Sequence, residues 1–348
     1  MNLPNDEIPP IEGPDTPPDT LQPTAPPDQT QPGSSTDLGI RMAIVILLAV
    51  YAAGLASGYL IWGRVLDSPA NLPPEAGVSS ETASEATPEP AAPANAVNLP
   101  PEYTLPVSFG SLGPQLLEAR AIDYNRFVET YRQAGQPLTE GQLAVLTEGS
   151  DRPIVFNREN AYFLLNFFWA LGLTNQNSLL EEGPLRQYSQ GDIGRFASTG
   201  GWTLGASPAT ALYASEPLIP LTPEQQARLE EVAYAVYRPC CNNPTAFPDC
   251  NHGMAMLGLL ELLASQGAST DEMFTAAKYV NAFWFPQQTF ELAAYFKAAK
   301  GLDLAEMDAR QVVGVSFSSG SGFQAVHQWL GANGLLEPAP AGGGGCGV

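Results

Sequence analysis

The chain has 348 residues, 33 of them proline and 33 glycine, and its 15 Lys and Arg face 36 Asp and Glu for a formal charge of -21. So few cations, nowhere clustered, argue against a nucleic-acid partner, because phosphate neutralisation needs grouped Lys and Arg. Four cysteines at this length are too few for a disulfide scaffold, so an apolar core must supply most of the stability.

In chain order, residues 1–38 are rich in Pro, Asp, Thr and Gln and poor in large apolar side chains, and are expected to be a disordered acidic tail. Residues 42–62, within a segment 40–63, form an uncharged, mostly apolar run between Arg41 and Arg64. At about 1.5 Å per residue it is long enough for a bilayer core of about 30 Å, and it reads as a single transmembrane helix of signal-anchor type. Its partner is the lipid bilayer. Gly54 and Gly58 stand at the GxxxG spacing that lets two such helices pair, which gives a candidate homodimer contact. The same spacing also arises by chance in a span rich in Ala and Gly. Arg41 and Arg64 balance, so the positive-inside rule does not orient the span. A short tail, one anchor, a stalk and a large domain is a common plan for surface proteins, and it places the domain outside the cytoplasm.

Residues 65–101, rich in Pro, Ala, Glu, Ser and Thr, read as a disordered stalk. Residues 102–337 carry the folded domain. Tyr124, Phe127, Val128 and Tyr131 recur at helical spacing, as do Leu229, Val232, Ala233 and Val236. Thr139-x-x-Gln142, Thr222-x-x-Gln225, Ser269-x-x-Glu272 and Asp303-x-x-Glu306 are helix-start signals. Residues 161–173 and 254–264 are apolar on all sides yet too short to span a bilayer, so they are expected to be central buried helices. The expected fold class is all-α, an irregular bundle of about eight helices. Strand signals are few: Ile154-Val155-Phe156 and residues 312–317 are short, and the second is equally compatible with helix. Residues 338–348 close the chain with a Gly-rich flexible tail holding Cys346.

Chemistry is concentrated in one run, from Cys240 and Cys241 through Cys250 to His252. Pro239, Pro244 and Pro248 make it an irregular loop, with the bends that converging ligands need. Cys240, Cys241, Cys250 and His252 are candidate metal ligands, with Cys346 as a further partner, for a transition metal such as zinc, copper or iron. The spacing is neither that of a zinc finger nor that of a haem-attachment motif. With Asp249 or Asn251 as N-cap, Cys250 and His252 would lie at the positive end of the following helix, favouring thiolate and neutral imidazole. Met254 and Met256 would suit monovalent copper but fit core packing better. Reversible thiol chemistry and structural disulfides, for example Cys241–Cys250 and Cys240–Cys346, are the alternatives; the last would make the protein a non-enzymatic binding or scaffold protein of the cell envelope. Elsewhere, the Ser/Gly run 316–322 lacks a P-loop lysine and reads as a helix cap, and His327 as an ordinary helix residue. Neither a nucleophile elbow nor an H-E-x-x-H helix occurs, so the sequence leaves open whether the protein is an enzyme.

Overall fold

The computed structural model describes residues 100–336, which belong to one compact unit. The acidic tail, the 42–62 span with Gly54 and Gly58, nearly all of the stalk, and the Gly-rich end with Cys346 lie outside the described residues. Among the described residues no helix is long and apolar enough to cross a membrane.

The fold is mostly helical, and it departs from a purely α domain in one place. Strand β1 (Glu102–Gly110) pairs antiparallel with β2 (Ser150–Asn157), Tyr103 opposite Phe156 and Thr104 opposite Val155. Leu105, Val107 and Phe109 point inward at every second position of β1, as Ile154 and Phe156 do in β2, the period a half-buried strand requires. Between the strands run α1 (Leu112–Glu118), α2 (Tyr124–Gln133) and α3 (Glu140–Thr147).

Two central helices follow the expectation closely. Helix α4 (Ala161–Thr174) and, further on, α6 (Asn251–Ser265) are buried almost all round. They cross at Gly172 and Gly258, where a side chain on either glycine would collide with the other helix's backbone. Helix α5 (Pro223–Ala235) buries Leu229, Val232 and Ala233, and α7 (Thr270–Trp284) packs beside it. Both begin with full capping boxes, as α3 does; the Asp303–Glu306 box instead starts a single 3-10 turn, Leu304–Glu306. Helices α8 (Pro286–Lys300) and α9 (Gly320–Ala332) enclose a second, smaller core around Phe296 and Leu330. Short one-turn helices fill the connections, so the chain has more helical pieces than the eight that periodicity reveals. Residues 312–317 are helical turns rather than a strand, and Ser319 caps α9 through Gly322 N–H. His327, on α9, bonds through Nδ1 to Glu291 on α8 at 2.7 Å.

Candidate metal centre

The loop between α5 and α6 is shaped before any sulfur is considered. Val236 ends α5 in extended geometry, and Pro239 forbids a further helical turn. The loop then folds back on that helix end: Thr245 N–H and Oγ donate to Val236 O, and Ala246 N–H to Ala233 O. Ser198 N–H donates to Asp249 O, and Ser198 O in turn accepts the Trp169 indole of α4 at 2.6 Å. On the other side Cys241 O and the Asn242 side chain accept from Gly320 and Ser321 N–H, the first residues of α9. The loop is thereby fixed to three helices.

At its centre lies Arg238, whose guanidinium is fully buried. It donates to Cys250 Sγ at 3.2 Å, Asn243 O at 3.1 Å, Phe247 O at 3.3 Å and Asp249 Oδ1 at 3.0 Å. Asp249 is held in turn by Asn243 Nδ2 at 2.8 Å. A buried charge persists only with such complete pairing. Gly253, in the first turn of α6, makes room for it, since a Cβ there would overlap the guanidinium.

Around this arginine the sulfurs of Cys240, Cys241 and Cys250 gather within 4.8 Å of one another. All three are free thiols, and Cys240 is exposed. The Cys240 and Cys250 sulfurs are 3.6 Å apart, far beyond a disulfide bond of about 2.05 Å. Two thiolates sharing one tetrahedral zinc at about 2.3 Å would stand about 3.8 Å apart. The spacing is thus one at which the three sulfurs could hold a metal ion.

Electrostatics single out Cys250. The neighbouring Cys240 and Cys241 thiols, with the Arg238 charge adding to them, hold its thiol far below the ordinary value. Cys240 is pushed up by the nearby Cys241 and Cys250 sulfurs. Cys241 is raised as well: Cys240 lowers it, but Cys250 and burial outweigh that. Within the cluster, Cys250 is thus the sulfur readiest to lose its proton, beside two thiols and an arginine.

Several sequence expectations change here. Cys250 itself is the N-cap of α6 and makes no side-chain capping bond, while the Asp249 carboxylate pairs with Arg238. Neighbouring thiols and a buried cation lower the Cys250 pKa at the helix start where it sits. The Cys241–Cys250 disulfide is not formed. His252 does not join the three-sulfur group: its Nδ1 meets Asn251 Oδ1 at 2.9 Å and its ring lies 4.4 Å from Phe285. Burial lowers its pKa to about 4, so the imidazole is neutral at pH 7. Met254 and Met256 are buried in the core, in line with a packing role. Sequence reasoning did not see Arg238 as the hub; its signals were a glycine at residue 253 and an acid and an amide, Asp249 and Asn243, in one loop.

No protein-family model, curated protein or solved structure matches this chain. Its function is therefore argued from the site alone.

Proposed function

We propose that this is a membrane-anchored, extracytoplasmic helical protein whose proline-rich loop binds a thiophilic transition-metal ion through Cys240, Cys241 and Cys250. The observation that carries the metal reading is three unbonded sulfurs within 4.8 Å on a loop fixed to the surrounding helices. The lowered pKa of Cys250 supports it, since thiolate is the ligating form and metal binding otherwise has to displace a proton. Sulfur-rich donor sets select zinc, monovalent copper or iron. A fourth donor would be His252, after its ring leaves Asn251, or Cys346. The anchor and the external placement rest on residues 42–62 and on the layout of the chain.

Elemental analysis of the full chain, purified without chelator, is expected to find about one metal ion per chain. Serine at any one of the three cysteines should lower that content sharply. Metal-free protein whose cysteines are all paired and unreactive on non-reducing mass spectrometry would overturn the reading in favour of an envelope scaffold with structural disulfides. A reporter fused after Val348 tests the topology, and cross-linking of Gly54→Ile and Gly58→Ile variants in membranes tests the dimer.

The 3.6 Å approach of Cys240 to Cys250 favours a second reading, thiol–disulfide exchange. The Cys250 thiolate would attack a substrate disulfide, and Cys240 would resolve the mixed disulfide. The protein dithiol is oxidised and the substrate leaves as two thiols. A metal-free protein with two rapidly alkylated thiols that becomes refractory after oxidised glutathione is added would favour this reading.

A further inference from the structure

On another part of the domain, and independent of the sulfur loop, a cleft of about 810 Å³ opens between the α2–α3 connection, β2 and the first turns of α4. That volume falls within the range of about 300 to 1,000 Å³ typical of small-molecule sites. Partly buried apolar and aromatic side chains, Leu138, Val145 and Tyr162, form part of its lining. Exposed Arg152, Arg158 and Glu159 also line it.

These arginines stand apart from the other cations of the molecule. Arg120, Arg126, Arg132, Arg195, Arg228, Arg238 and Arg310 each donate hydrogen bonds to described residues. Lys278, Lys297 and Lys300 are partnered as well. Among the described residues only the Arg152, Arg158 and Arg186 side chains make no hydrogen bond or ion pair, and two of these three line the one cleft. In a chain of net charge -21, two arginines without partners among the described residues on the lining of one cleft favour an anion there that the rest of the surface repels. Each presents the planar fork that matches carboxylate, sulfonate or phosphate oxygens. Glu159 makes no ion pair with either arginine, so the lining carries two cations and one anion, a balance suited to a monoanion. The positive end of α4 adds to it: Asn160, its N-cap, makes no side-chain bond to the first turn, its Oδ1 accepting instead from Asn157 N–H at 3.0 Å.

We infer that this cleft binds a small organic monoanion with an apolar body, the body against Leu138, Val145 and Tyr162 and the acid group on Arg152 or Arg158. Titration calorimetry of the full chain tests it with naphthalene-2-sulfonate as probe. Its neutral sulfonamide and methanesulfonate, which lacks the rings, are the comparison compounds. The sulfonate should bind saturably, and both comparison compounds at least about tenfold more weakly, the loss of roughly one charge-assisted contact or of the buried rings. The double variant Arg152→Gln/Arg158→Gln, both exposed and so harmless to folding, should weaken the sulfonate by about tenfold or more. Arg186→Gln, an equal change of charge elsewhere, should leave it unchanged. The inference is overturned by absence of saturable binding, by equal binding of the sulfonamide, by an unaffected double variant, or by an equal loss with Arg186→Gln. Cys250→Ser should not alter this binding, which separates the cleft from the sulfur loop.

Discussion

Arg238 and Glu261 are both buried ionisable side chains, one just after α5 and one within α6, and they meet burial in opposite ways. Arg238 donates four hydrogen bonds and forms an ion pair with Asp249, so it stays charged and organises a loop. Glu261, in the apolar stretch of α6 that packs on α4, has two carboxyl oxygens without a well-formed hydrogen bond. Burial raises its pKa well above the ordinary value, and the neighbouring Asn175 offsets only part of that. Low dielectric alone does not decide whether a buried group is charged; the partners that replace water do.

The largest test of this contrast is Arg238→Met, which leaves Asp249 and the Cys250 thiolate without their cation. It should cost about 3 to 5 kcal/mol in urea unfolding, the usual penalty for breaking a buried pair, and abolish metal uptake. A loss below about 1 kcal/mol, the size of a surface ion pair, would show that the hub does little. Gly258→Ala probes the apolar stretch of α6. Its methyl group would meet the Phe168 carbonyl and Gly172 of α4, and forcing the helices apart should cost about 1 to 3 kcal/mol with metal content unchanged.

Glu261→Gln should act in the opposite direction. Below the unfolded-state value near 4.5 both folded and unfolded Glu261 are protonated. As pH rises past it the unfolded chain ionises and the folded chain does not, so stability drains away up to the raised folded value. The Gln variant lacks this drain. It should therefore gain on the parent between pH 4 and pH 7.5 in thermal unfolding, and parallel curves would show that Glu261 ionises normally. Removal of one cap, by Thr222→Ala, should cost about 1 kcal/mol and leave both buried groups undisturbed, as a baseline for a purely local loss.

The mostly helical character was legible because α4 and α6 are long and apolar and because Thr139, Thr222 and Ser269 announce their helices with local boxes. Strand β1 was legible in principle through Tyr103, Leu105, Val107 and Phe109, but Pro106 interrupts the run and the preceding stalk resembles it in composition. Its partner lies some fifty residues away, and strand pairing is non-local. The clustering of Cys240, Cys241 and Cys250 was visible as text, and these sulfurs do meet.

By itself, then, the sequence determined the helical elements, the proline-bent loop and the identity of its sulfur donors, because periodicity, capping and proline geometry act over a few residues. Tertiary structure alone decided that Arg238 lies beneath the thiols, that His252 turns to Asn251 and Phe285, and that Arg152 and Arg158 line one cleft. Those outcomes depend on which groups replace water around a side chain, and the replacements come from distant parts of the chain.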